Sequence, residues 1–343
     1  MKAAIIDQAG AKPHYGDRPE PQAGEHQQRI TVRAAALSQL AKARAAGNHY
    51  SAVSQFPFIP GIDGTGYLDN GEAVYFLAFD SASGSMAERT VVSREHIIPL
   101  PSGLDPVLAA ALANPGMSSW TALTRRAALR PGETVLINGA TGTSGRLAIR
   151  IARALGAGKI IATGRNRETL QQLHNEGADI TLTLDALPTE LPALMAEGVD
   201  VVLDYLWGES ALAIMTAAVR GGEKIVRFVQ IGSLSGQEIS LHSKLLRSSG
   251  LTLMGSGLGS VPDRELIASI GEMLQAAGPH GFTIPFRSRP LSDIAEDGRA
   301  TTAVAGRYLP FRDRLLHLMQ KSTRIIGFDG MLGAVTAKQL IAV

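Results

Sequence analysis

The chain has 343 residues, 45% of them hydrophobic and 19% charged, with a formal net charge of +2. That composition suits a globular protein long enough for two domains, and the near-balanced charge offers no basic run for nucleic acid or an anionic membrane. There is no cysteine, which excludes disulfides, thiolate metal sites and a cysteine nucleophile together.

The first residues, Met1-Lys-Ala-Ala-Ile-Ile-Asp7, read as a short strand and lack the long apolar core of a signal peptide. No apolar run approaches the ~20 residues that cross a bilayer. A soluble, cytoplasmic protein is expected. Up to about residue 118, strand-like runs at 29–35, 72–77 and 88–92 are separated by Gly and Pro. The stretch Phe56-Pro-Phe-Ile-Pro-Gly-Ile-Asp-Gly-Thr-Gly66 reads as a loop entering a strand. No helix–strand alternation shows, so 1–118 is expected to be a β-rich domain.

Alternation begins next. Apolar strands are expected at 134–138, 159–163, 179–184, 199–204, 225–231 and 251–255, with helices such as 167–176 and 210–219 between them. Six such strands call for a doubly wound parallel sheet, placing a Rossmann-type nucleotide-binding domain at 119–258. Its centre is Thr134-Val-Leu-Ile-Asn-Gly-Ala-Thr-Gly-Thr-Ser-Gly145. A β-branched run opens there into a loop bearing Gly139, Gly142 and Gly145. Leu147, Ile149, Ile151, Ala152 and Leu155 then stripe one helical face, and Gly156 stops the helix. Strand, glycine turn, helix and second strand make a dinucleotide-binding unit. Its glycines admit a pyrophosphate to a helix N-terminus. The loop residues Gly139, Ala140, Thr141, Gly142, Thr143, Ser144 and Gly145 are therefore candidate cofactor ligands.

The second strand ends in Gly164-Arg165-Asn166-Arg167, where an enzyme for NAD carries an acid that accepts from ribose hydroxyls. An acid there repels a 2′-phosphate, and a guanidinium pairs with it bidentately. Gly164, Arg165 and Asn166 thus point to NADPH. After Gly255 the chain reads as a helix over 263–277, then the short runs at 282–286 and 290–294. Residues 259–343 are expected to return to the first domain with an atypical tail, whose 312–319 stretch reads as a short amphipathic helix.

The ordered phrases resemble the medium-chain dehydrogenase/reductase superfamily, and within it the zinc-independent quinone oxidoreductase branch. They are Phe58-Ile-Pro-Gly-Ile-Asp-Gly-Thr-Gly66, Trp120-Thr-Ala-Leu123, Leu129-Arg-Pro-Gly-Glu-Thr-Val-Leu-Ile-Asn-Gly-Ala140, Gly198-Val-Asp-Val-Val-Leu-Asp204, Phe228-Val-Gln-Ile-Gly-Ser233 and Arg289-Pro-Leu-Ser-Asp-Ile294. The resemblance implies a β-rich GroES-like catalytic domain ahead of the Rossmann domain, NADPH as cofactor, and direct hydride transfer to a quinone or related enone. It places Ser38, Asp63 and Trp120 near the nicotinamide together with Gln230, Gly232 and Ser233, and makes Tyr50 a hydrogen-bond donor to the acceptor carbonyl. It also implies a homodimer built on the last strand of the nucleotide-binding sheet.

Where zinc alcohol dehydrogenases carry a metal-binding Cys, this chain has Ala36-Leu-Ser38, and their Gly-His-Glu is Gly61-Ile-Asp63. The eight histidines show no ligand spacing, so no metal is expected. A short-chain dehydrogenase is excluded because none of the six tyrosines has Lys four positions on. An alkenal or enoyl double-bond reductase, and a non-catalytic NADPH-binding protein, stay open.

Overall fold

A computed structural model of the chain describes residues 1–47, 55–79, 83–220, 224–297 and 323–328. Its contacts divide into two units, Met1–Asn114 with Ile284–Val343, and Pro115–Thr283. The first opens with β1 (Lys2–Ile5) and β2 (His14–Asp17), a two-stranded antiparallel ribbon. There follow β3 (Gln27–Ala36), α1 (Gln39–Ala45), β4 (Asp63–Tyr67), β5 (Ala73–Leu77), β6 (Arg89–Ser93) and β7 (Ile97–Pro99). Ile30 and Val32 alternate along β3 and bury against Val74, Phe76 and Val92. Helix α1 is not apparent in a region that reads as mostly β, because only Ala41 along it is buried.

Helix α2 (Pro106–Thr121) contains the boundary between the units. Ala109 to Ala113 on it are all fully buried. A helix covered on every side carries no apolar stripe, which hides it from a periodicity reading.

The second unit is a six-stranded parallel sheet of β8 (Thr134–Asn138), β9 (Lys159–Gly164), β10 (Ile180–Thr183), β11 (Val201–Asp204), β12 (Ile225–Gln230) and β13 (Gly250–Gly255). The strand order is β10-β9-β8-β11-β12-β13, so the chain winds outward one way from β8 and then crosses to wind the other way from β11. Between the strands lie α3 (Thr143–Ala154), α4 (Arg167–Asn175), α5 (Leu187–Glu197), α6 (Gly208–Arg220) and α7 (Lys244–Arg247). Leu147, Ile149 and Ile151 on α3 are buried, each contributing about 1.5–3 kcal/mol. Gly156 follows the helix at φ 92°, in the left-handed region that ends helices.

Helix α8 (Asp263–Ala277) belongs to this second unit. Its Ser269 hydroxyl shares a 2.6 Å hydrogen bond with Thr121, and Glu272 accepts from Trp120 Nε1 (3.2 Å) and from Arg125. The chain therefore returns to the first unit at Ile284, later than the 259 read from the sequence, because α8 bonds Trp120, Thr121 and Arg125, all in the second unit.

The return supplies β14 (Phe286–Pro290) and β15 (Arg324–Phe328). The larger sheet of the first unit then runs β14-β15-β3-β4-β5-β7, with β6 pairing β3. β15 is parallel to β3 and antiparallel to β14, an interior strand with Ile325 and Ile326 at 1% and 0% exposure. Part of the tail thus packs in the first unit, as its apolar content leads one to expect. The 312–319 stretch lies outside the described residues. No described helix is long and apolar enough to cross a membrane.

Candidate functional site

β8 ends at Asn138, and the chain turns at Gly139 with φ 90°, a conformation that excludes most side chains. A Cβ on Gly145 would lie 2.5 Å from the Gly139 carbonyl oxygen and 2.6 Å from Ala140 Cα. The third glycine thus lets α3 close onto the loop. Gly142 caps α3 with no side-chain acceptor, and the first turn carries no acid. The first-turn N–H groups at Thr143, Ser144 and Gly145 therefore meet no internal carboxylate, and the positive helix end is open to an anion.

At the end of β9, a Cβ on Gly164 would lie 2.5 Å from Thr141 Cγ2 and 3.1 Å from its hydroxyl. A side chain at the place where an NAD enzyme carries its acid would crowd the Thr141 side chain. The next residue, Arg165, is exposed. Asn166 caps α4, its Oδ1 accepting from Thr169 N–H at 2.8 Å. The glycine cradle, the uncapped helix end and an exposed guanidinium beside an acid-free strand end fit a dinucleotide with a 2′-phosphate.

Further along the sheet, Gln230 ends β12 and its Nε2 donates to the Gly232 carbonyl at 3.0 Å. Gly232 and Ser233 are half-buried, and a Cβ on Gly232 would sit 2.7 Å from the Tyr205 carbonyl oxygen. Trp120, by contrast, is packed in α2 with its indole N–H committed to Glu272.

Sequence reading overlooks what lies beneath this crevice. Thr163 Oγ1 donates to Asn138 Oδ1 (2.7 Å), and Asn138 Nδ2 donates to Asp204 Oδ1 (2.8 Å) and to Ser210 Oγ (2.9 Å). Asp204 also accepts from the N–H groups of Leu206 and Trp207. Burial raises its pKa, opposed by those donors. The available signal was a polar residue closing each apolar strand run.

In the β-rich unit, Ser38 is buried and caps α1, its Oγ accepting from Ala41 N–H at 3.1 Å. Asp63 opens β4 with no exposed surface. Its Oδ2 accepts from the Tyr75 hydroxyl (3.1 Å), Oδ1 has no hydrogen-bond partner among the described residues, and burial pushes its pKa up to about 7. Tyr50 lies outside the described residues. Among the described residues, no group of three His, Asp or Glu side chains is placed to hold a metal ion.

A family model described as zinc-binding dehydrogenase matches residues 145–275, which lie within the second unit. The chain is 30% identical over 341 residues to a probable NADPH-dependent quinone reductase, tdiC, of Emericella nidulans, covering 86% of this chain and 95% of that protein. It is 26% identical over 290 residues to the quinone oxidoreductase of Homo sapiens, covering 79% and 84%. Among solved structures, a quinone oxidoreductase from Thermus thermophilus, also solved in complex with NADPH, superposes with a TM-score of 0.72 at 26% identity, covering 95% of this chain and 99% of that one. The fold, the glycine cradle and these matches agree: the chain belongs to the medium-chain dehydrogenase/reductase superfamily as a quinone oxidoreductase-like member.

Proposed function

We propose that the protein is an NADPH-dependent oxidoreductase that delivers hydride directly to a quinone or related enone without a metal. The observation that carries this reading is the end of β9. Gly164 stands there with no side chain, packed against Thr141, and Arg165 follows as an exposed cation. A 2′-phosphate meets attraction there, and the strand end itself carries no acid.

Gly139 to Gly145 hold the pyrophosphate through backbone N–H groups and the α3 dipole. Arg165, with Gly164 and Asn166, takes the 2′-phosphate. Gln230, Gly232 and Ser233 border the nicotinamide half. Bound NADPH supplies the hydride, and the chain supplies orientation and shape. On the family resemblance, Tyr50 donates to the acceptor carbonyl as it gains negative charge, with Ser38, Asp63 and Trp120 shaping its surroundings. The positions that hold zinc in alcohol dehydrogenases are Ser38 and Ile62 here, and neither imidazole nor thiolate replaces them.

A homodimer through β13 belongs to the same reading. β13 is the outer strand of its sheet, and Ile225 on the neighbouring β12 is 66% exposed.

Anaerobic mixing of the protein with NADPH and a panel of quinones and enals tests the activity. Acceptor-dependent loss of NADPH absorbance with quinones is expected. Turnover with enals only would assign the double-bond reductase activity, and no turnover with any acceptor would refute the proposal.

A further inference from the structure

The polar residues under the crevice form one row. In the sheet register Thr163 on β9 lies beside Asn138 on β8, Asn138 beside Asp204 on β11, and Asp204 beside Gln230 on β12. The strand order reverses between β8 and β11, and it is there that an open α/β sheet leaves its ligand crevice. The hydrogen bond from Asn138 Nδ2 to Asp204 Oδ1 spans that reversal.

Thr163 and Asp204 each hold a loop as well as Asn138 between them. Thr163 reaches the glycine loop, its hydroxyl accepting from Gly139 N–H at 3.4 Å and its carbonyl from Ala140 N–H at 2.8 Å. The Asp204 carboxylate accepts from Leu206 and Trp207 N–H, and Trp207 sits at φ 61°, a region sparsely occupied by residues other than Gly. The Asp204 carbonyl accepts from Ile231 N–H (2.7 Å) and Gly232 N–H (3.1 Å). The row therefore joins the phosphate-binding loop, the strained 205–207 turn and the 231–233 segment.

A buried carboxylate is a poor stabiliser beside an apolar pair of similar volume. This one is answered by three N–H donors, Asn138 Nδ2 at the end of β8 and Leu206 and Trp207 N–H from the turn after β11. We infer that Asn138 and Asp204 are positioning residues for the dinucleotide: their side-chain hydrogen bond fixes the separation of the glycine loop and the 205–207 turn before any cofactor arrives. This rests on the cofactor reading above for the identity of the ligand, and on the hydrogen bonds and strand register for the rest.

The direction of the bond makes it testable. Asn138→Asp sets two carboxylates against each other at nearly unchanged volume. Adding Asp204→Asn restores one donor facing one acceptor and leaves Thr163 a carboxylate to donate to; the new amide oxygen, at the Oδ2 position, still accepts from Trp207 N–H, whereas Leu206 N–H, which bonds Oδ1 alone, loses its acceptor. At pH 8, Asn138→Asp alone is expected to weaken NADPH binding by about 10- to 100-fold. The double variant should regain at least about threefold of that loss, a non-additivity expected only of groups in contact. In the cofactor-free protein, the Leu206 and Trp207 amides should exchange faster in the single variant, and the Trp207 amide should regain protection in the double one.

If Asn138→Asp does not fold, Asn138→Ala removes the bridge without adding charge and should show the same loss and the same faster exchange. Wild-type affinity in these single variants would overturn the inference, as would a double variant that folds and melts like wild type without recovering affinity. If the wild-type protein itself does not bind NADPH, the proposed function fails. Exchange then decides this inference alone: unchanged Leu206 and Trp207 protection in the single variants overturns it.

Discussion

Asp63 is expected to make the stability of this protein fall as pH rises from acid to neutral. The carboxyl has no exposed surface, one hydrogen bond from Tyr75 and, among the described residues, no partner at Oδ1, and burial lifts its pKa from 3.8 to about 7. The folded form therefore binds the proton more tightly than the unfolded chain. Its stabilising contribution is complete below the unfolded value and declines between about pH 4 and pH 7, where the folded group ionises at a cost. A shift of roughly three units corresponds to about 4 kcal/mol in full, of which about 3 kcal/mol falls between pH 5 and pH 8. Asp63→Asn keeps an acceptor for Tyr75 and removes the titration. Denaturant unfolding of both proteins at pH 5 and pH 8, with the transition of the β-rich unit followed separately, should show the variant gaining about 3 kcal/mol on wild type over that interval. A difference between the two proteins that does not change with pH would refute the reasoning, since Asp63 would then not change its charge inside the fold.

Arg165→Ala should weaken NADPH by about 10- to 100-fold while leaving NADH nearly unchanged, because one charge-assisted contact to the 2′-phosphate is lost. Equal losses for both cofactors in fluorescence titration would make Arg165 structural. Removing residues 323–343 should lower the melting temperature far more than removing 329–343, since it takes out β15 with buried Ile325 and Ile326, worth about 1.5–3 kcal/mol each. NADPH should still bind both truncated forms, and equal melting temperatures would show that β15 contributes nothing to the sheet. Sedimentation at micromolar concentration should give twice the 36.1 kDa chain mass, and a monomer would count against the dimer proposed at β13.

The parts of the fold that show in the sequence are those whose burial leaves a regular mark. The central strands of the second unit, β8, β9 and β11, are covered on both faces, so Val135 to Ile137 and Val201 to Leu203 read as plain apolar runs. Helix α3 has one buried face and a stripe to match. Helix α2 is buried all round, and α5 carries Pro188 and Pro192, which read as breaks. β15 is separated from β3, its parallel neighbour, by most of the chain, and nothing local announces the pairing. The glycine loop and Arg165 are legible because their chemistry is tied to residue type. The Asn138–Asp204 bond is not, since its partners stand 66 residues apart and meet only when β8 and β11 pair. Asp63 shows the reverse: its place in a family phrase marks the residue, and only the fold reveals a carboxyl enclosed with Tyr75.

The central claim is that the glycine cradle of the second unit takes NADPH in preference to NADH. Calorimetric titration of the wild-type protein with each cofactor tests it most directly. The expected result is one NADPH per chain, bound at least about tenfold more tightly than NADH, the smallest margin that one charge-assisted contact should give. Equal affinity for the two, or no binding of either, would contradict the account.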